Sequence, residues 1–254
     1  MKSLKKALVV LEALSKEENG AGVTWLSRQL SLPKSTIHEI LSVFKNMRFV
    51  EQYPENKKYH LGLRILELGN IVQSQLQLRK VASIYLYNLS RETNETTYIA
   101  VLEGNRIVYI DYVESKASLR IHPVFGESIP LHCTGLGKAM MAFLPEEDIN
   151  EMLHEKNSLK KFTENTITDP RLIKEQFKII KKREYAIDNM EHEEGSCCVA
   201  SPIRNYKGEV FAAISISGPS QRFRPPRIEA LGKLVIKTAG EISKKMGYKE
   251  TSHI

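Results

Sequence analysis

The stretch that most narrows what this chain can fold into is "TWLSRQLSLPKSTIHEILSVFKNM", residues 24–47. A short helical run breaks at "SLP". A longer one then starts at Pro33, a residue suited to a first helical turn because its missing N–H is not needed there. Ile37, Ile40, Leu41 and Phe44 recur at steps of three and four and predict the buried stripe of the longer helix. Thr24 is the expected cap of the shorter one. Upstream, Ser3 is placed to cap another amphipathic helix with Leu4, Leu8, Leu11 and Leu14 on its apolar side, and "ENGAG" ends it. Trp25 and Phe44 are expected in the core. A short helix, a turn of three or four residues and a longer helix describe a helix-turn-helix.

The second helix of such a pair presents its N-terminal face outward. Here that face carries Lys34, Ser35, Thr36, His38 and Glu39, short polar groups and a cation able to reach phosphates and base edges. Next, "FVEQYPENKKYHLG" reads as two strands joined by a turn at Pro54 to Asn56, a wing with Lys57 and Lys58 at its tip. Residues 1–61 hold 10 Lys and Arg against 6 Glu, a surplus of four within a chain whose net charge is +7. Cations gathered beside a helix-turn-helix fit a polyanionic partner, because they displace counterions from phosphates. Double-stranded DNA is that expected partner; the plainer alternative is a three-helix core with a solvated face. We assign residues 1–61 to the winged helix-turn-helix and 62–78 to a linker helix whose apolar residues could pair with a twin chain. Residues 79–250 form a second domain.

That second domain alternates helices with hairpins. "KVASIYLYNLSRETN" is helical, "TTYIAVLE" and "RIVYIDYVE" are strands hinged at Gly104 and Asn105, and "LRIHPVFG" reads as a third strand. A helix capped by Thr134 and broken at Pro145 follows. Another starts at Asp169-Pro170, two strands meet at a turn over Tyr206 to Gly208, and "RPPRIEALGKLVIKTAGEISKKMG" closes the domain as a helix. The expectation is α+β, an antiparallel sheet covered by helices. The first turn after Thr134 offers open backbone N–H groups suited to an anion.

Two polar features stand out on the strands. Alternation in "VFAAISIS" puts Ser215 and Ser217 on one face with Phe211 and Ala213, at the end of an otherwise apolar strand. The plain reading is a strand end turning toward solvent; the functional one is a pocket wall. In "EHEEGSCCVASPI" the same alternation sends Cys197 and Cys198 to opposite faces, which disfavours any centre that uses both. Two chemical alternatives remain: Cys198 as a nucleophile with His132 or His192 as base, and a zinc site at His132, Cys133, His192 and Cys198. Three cysteines without a CxxC or HExxH spacing give little support to a disulfide framework or a standard metal motif, and no cofactor is expected. His122 and His154 read as ordinary strand or surface histidines.

Taken together, "PKSTIHEIL", "YHLGLRILELG", "GESIPLHCTGLGKAMMA" and "REYAIDNMEHEEGSCCVASPI" followed by "GEVFAAISISGPSQR" resemble the IclR (isocitrate lyase regulator) family of bacterial transcription factors over nearly the whole chain. The resemblance implies an N-terminal winged helix-turn-helix and a C-terminal GAF/profilin-like sensor domain with a curved antiparallel sheet and flanking helices. It implies a homodimer or homotetramer on a palindromic operator, a repressor whose second domain senses a small carboxylate. Carried across the motifs, it puts Gly135 and Leu136 where backbone N–H groups would hold that carboxylate, with Asp188, Cys198, Ser215 and Ser217 around it. Two positions depart from the pattern: Leu136 is bulkier than the small residue often found there, and Glu39 stands where many members carry a basic residue. A carboxylate at that place could accept from a cytosine amino group.

Composition agrees with a globular chain: 42% of residues are hydrophobic and 26% charged. No uninterrupted apolar run approaches a membrane span, and the first residues reach charges too soon for a signal peptide, so the expected address is the cytoplasm with no membrane partner.

Overall fold

The computed structural model describes residues 2–75, 77–121, 130–154 and 159–249. Its contacts fall into two units, residues 1–76 and 77–254.

In the first unit, helices α1 (Lys2–Ser15), α2 (Val23–Leu30) and α3 (Lys34–Asn46) precede a hairpin of β1 (Val50–Gln52) and β2 (Tyr59–Leu61), and α4 (Leu63–Gln75) follows. Val10, Ala13, Leu14, Leu26, Ile37, Leu41, Val50 and Tyr59 form the shared core. Burying side chains such as Ile37 and Leu41 contributes about 1.5–3 kcal/mol each, which is what holds three short helices together. Gly20 turns the chain after α1 with φ +65°, and Ala21 then bridges Tyr59, so the loop joins the edge of the hairpin. Between α2 and α3 the turn is Ser31 to Pro33. Ser31 adopts a left-handed φ of 52° and its N–H closes on the last carbonyls of α2.

Three local expectations are corrected. α2 begins at Val23 with Gly22 as its cap, so Thr24 lies inside the first turn. α1 begins at Lys2, ahead of Ser3, and buries its Val10, Ala13 and Leu14 side, leaving Leu4 66% and Leu8 52% exposed. The core touches only the C-terminal half of that helix, so the sequence stripe overshoots it. Trp25 is 38% exposed on α2 rather than buried, because Leu26 beside it takes the inward position.

In the second unit, α5 (Gln77–Thr93) leads into β3 (Thr96–Glu103) and β4 (Arg106–Val113). Then come α6 (Gly135–Met141), α7 (Glu146–His154), α8 (Pro170–Arg183), β5 (Ala186–Asn189), β6 (Ser196–Arg204), β7 (Val210–Pro219), a 3-10 turn at Ser220–Arg222 and α9 (Pro225–Lys245). The five strands form one antiparallel sheet in the order β4-β3-β7-β6-β5. β5 is a strand that the sequence did not announce, since four residues, "AIDN", are too few to show a period. The expected strand at 119–126 is irregular over 119–121, and its remainder, with His122, lies outside the described residues.

One sheet face packs on α6 and, behind it, α8. There Tyr98, Ala100, Ala186, Cys198, Ala200 and Ala213 meet Leu136, Ala139, Met140, Ile173 and Phe177. The alternate residues, among them Cys197, Val199, Ile214 and Ile216, turn to the other face, where α5 and α9 lie. Small residues on the α6 side let that helix sit close to the strands.

Candidate functional sites

In the first unit, burial of Ile37 and Leu41 turns the opposite side of α3 outward. Lys34, Ser35, His38 and Glu39 are exposed and Thr36 is half-buried, all within its first two turns. On the hairpin, Lys57 is exposed with a left-handed φ of 56°, a conformation held by its N–H donating to the Tyr53 carbonyl and by Gln52 donating to its own carbonyl. Asn56 accepts from the Lys58 N–H and fixes the bend. Tyr53 stacks on His60 at 4.1 Å, which stiffens the base of the wing. Two surface groups were missed by sequence reasoning: Trp25 and Arg28 stand exposed on α2.

In the second unit, strand register assembles the site. Asp188 pairs with Cys198, Cys198 with Ser217 and Ser217 with Thr96, so four polar residues form a row across β5, β6, β7 and β3. The next row on the same face runs Ala186, Ala200, Ser215, Tyr98 and Tyr112. Alternation had predicted Ser215 and Ser217 together and Cys198 without Cys197, and both placements hold. Ser215 is fully buried and its hydroxyl lies beside the Cys198 sulfur, where it only partly offsets the effect of burial on that thiol.

α6 is set on this face by close backbone approach. A Cβ on Gly135 would stand 2.7 Å from the Cys198 sulfur, and one on Gly137 would stand 2.2 Å from the Leu131 carbonyl oxygen, so each glycine is required by contact. Thr134 caps the helix: its hydroxyl accepts from the Gly137 N–H at 3.2 Å and donates to the Pro130 carbonyl at 2.7 Å. The Lys138 N–H is taken by the Thr134 carbonyl, which leaves the Gly135 and Leu136 N–H groups as the open donors of the first turn among the described residues. Leu136 is 3% exposed and points its side chain into the core beneath α6.

The electrostatics centre on groups that the sequence did not single out. Lys138, 1% exposed, forms a buried ion pair with Glu191 and donates to Gln176 of α8 at 3.2 Å. A lone cation in the apolar run "GLGKAMMAF" demands a buried partner, and that was the available signal. Glu191 comes from the acidic run before Gly195, and its second carboxylate oxygen has no hydrogen-bond partner. The turn that carries it is held from outside, since Thr163 donates to the Met190 carbonyl and Thr166 to that of Glu191. Asp188, 6% exposed, accepts from the Glu191 N–H at 2.8 Å, and burial pushes its carboxyl up to about 7. Tyr98, Tyr109 and Tyr112 cluster at the far side, with ring centroids 5.2 and 6.3 Å from Tyr98; burial raises the phenols of Tyr98 and Tyr109. Alternation places Tyr98 with Ala100, but only the strand order brings it beside Ser215.

The two chemical alternatives fail on this geometry. Burial pushes the Cys198 thiol up to about 12 and the Cys133 thiol also to about 12, the opposite of what a nucleophile requires. His132 is engaged by the Lys160 carbonyl at 3.0 Å and lies against Phe162, with the His192 ring on Phe162 as well. Among the described residues no group of three or more His, Cys, Asp or Glu is placed to hold a metal ion, so His132, Cys133, His192 and Cys198 do not form a zinc site. No helix of the described residues is long and apolar enough to cross a membrane.

Comparison with known proteins adds the following. The family description "Bacterial transcriptional regulator IclR C-terminal" matches residues 71–244, and "IclR helix-turn-helix domain" matches residues 3–54. The chain is 34% identical over 246 residues to the HTH-type transcriptional regulator KdgR of Escherichia coli, covering 97% of this chain and 93% of that one. To the transcriptional repressor IclR of the same organism it is 33% identical over 249 residues, covering 97% and 90%. The crystal structure of the Thermotoga maritima IclR superposes with a TM-score of 0.75 at 33% identity, over 98% of this chain and 100% of that one.

Proposed function

Because the chain belongs to the IclR family, whose members are DNA-binding transcriptional regulators and include repressors, we propose that it is a ligand-responsive repressor that senses a small carboxylate. As a family member it is a regulator and not an enzyme. Residues 1–61 read the operator, 62–78 link, and 79–250 bind the effector and assemble the oligomer. Lys34, Ser35, Thr36, His38 and Glu39 enter the major groove, while Lys57 and Lys58 meet the backbone beside it. A homodimer or homotetramer in the cytoplasm places two such units on a palindromic site.

The observation that carries the sensing half is the row Asp188, Cys198, Ser217 under an α6 whose Gly135 and Leu136 N–H groups are open. The donors would take the carboxylate, and Asp188, Cys198, Ser215 and Ser217 the rest of the ligand. Binding there would shift the balance between two arrangements of the paired winged helices, which is how a metabolite releases an operator. The test is a titration of a labelled duplex from the upstream region of its own gene, with and without pyruvate, 4-hydroxybenzoate and gluconate. Salt-sensitive, sequence-selective binding that one of these acids weakens is the expected result. Sequence-indifferent binding, or binding that none of them changes, would overturn the operator or the effector half respectively.

A further inference from the structure

The buried charges around the second-unit site do not balance. Lys138 is the buried cation, and its ammonium is committed to Glu191 and Gln176. Asp188 feels that same ammonium at a distance and accepts from the backbone N–H groups of Glu191 and His192, which together do not offset its burial and the Glu191 charge beside it. Lys138 on α6 is the one cation that faces it among the described residues, shared with Glu191; the other titratable groups around it, Cys133 before α6, Cys197 and Cys198 on β6, Tyr109 on β4 and Glu191 on its own turn, add no positive charge. One ammonium thus serves two buried carboxylates, and a further carboxylate brought to the row Asp188, Cys198, Ser217 would meet an incompletely compensated one in a site shielded from water. Two carboxylates sharing such a site cannot both stay ionised, and one takes a proton.

We propose that an acid effector enters this domain together with a proton taken up by Asp188, so that affinity for carboxylates rises as the pH falls. The inference rests on the carboxylate-sensing reading above and adds a second input to it, the acidity of the compartment. Three features support it. Asp188 is 6% exposed and buried between β5 and α6, which raises its carboxyl to about 7, so the proton is exchanged near working pH. Cys198 and Ser217 stand beside it in register and can accept or donate as its protonation changes. In the protonated form Asp188 becomes a donor and would bond the ligand it would otherwise repel.

The test is calorimetric titration of the full chain with pyruvate, 4-hydroxybenzoate and gluconate at pH 6 and pH 8, repeated in two buffers of different ionisation enthalpy. With the carboxyl at about 7, the dissociation constant for a bound acid should be about tenfold weaker at pH 8 than at pH 6, with close to one proton taken up per ligand at pH 8 and only about a tenth of one at pH 6, where Asp188 is already largely protonated. Asp188→Asn, which mimics the protonated carboxyl, should bind with the same constant at both pH values. Equal wild-type affinities with no proton uptake would overturn the proposal while leaving the carboxylate reading intact. A slope that persists in Asp188→Asn would also overturn it, by moving the proton to another group such as His132. If no acid binds at pH 6, both readings fall. Should the variant fail to fold, the proton count in the wild type decides alone.

Discussion

Lys138→Met is the sharpest probe of what holds α6 in place. Methionine keeps a long flexible stem and so preserves most of the packing, while it removes the charge. The lysine is 1% exposed and Glu191 6% by side chain, and one Glu191 oxygen already lacks a partner. Without the ammonium, that carboxylate would be left with the 3.5 Å approach of the Asn189 N–H. Breaking a buried pair by removing one member costs about 3–5 kcal/mol, because the remaining charge stays buried and uncompensated. For a unit spanning residues 77–254, each kcal/mol lowers the midpoint by roughly 2–4 °C, so the second unit should melt about 6–20 °C earlier. The measurement is urea and thermal denaturation followed by circular dichroism. The chain's single tryptophan, Trp25, lies in the first unit and would report the wrong transition. Lys138→Met combined with Glu191→Leu should recover most of the loss, since an apolar pair removes the orphaned charge. A single variant within about 1 kcal/mol of the parent, or a double variant no better than the single, would refute the argument.

Gly135→Ala should cost roughly 1–3 kcal/mol through overpacking against the Cys198 sulfur, and adding Cys198→Ala should restore most of it in thermal unfolding. Asp188→Asn should stabilise the unliganded chain increasingly as pH rises. With its folded carboxyl raised to about 7 from an ordinary 3.8, Asp188 supports the fold fully below about pH 4 and loses that support as pH climbs through 7. The gap between parent and variant, measured by urea denaturation at pH 5 and pH 8, should widen by up to a few kcal/mol; a constant gap would show that Asp188 stays charged without penalty. Lys34→Ala should weaken DNA binding about equally for different sequences and reduce the salt slope by roughly one, as read by fluorescence anisotropy over a salt series.

Much of this could be read from the residues because both units obey local periods. Ile37 and Leu41 at helical spacing oriented α3, and the step of two in "VFAAISIS" joined Ser215 to Ser217 while separating Cys197 from Cys198. Family resemblance then named Gly135 and Asp188, which no period would have picked out. What escaped is long-range. Tyr98 reaches Ser215 only because β3 pairs with β7, and Lys138 finds Glu191 only because α6 lies over the end of β5. The misplaced caps have a simpler cause: Thr24 and Ser3 are competent cap residues standing one position inside helices that begin earlier.

The strand order also sets a schedule. β3 and β4 are made early and can pair with each other, yet the other edge of β3 stays open until β7 has left the ribosome and Ala213 can meet Ala100, and β5 must wait for β6. The helix-turn-helix, by contrast, is complete within the first 61 residues and closes on contacts between near neighbours. If the two halves divide the work as proposed, the one that would grip the operator exists for a time during synthesis without the one that would tell it to let go. A nascent or truncated copy is thus expected to hold DNA without answering to its metabolite.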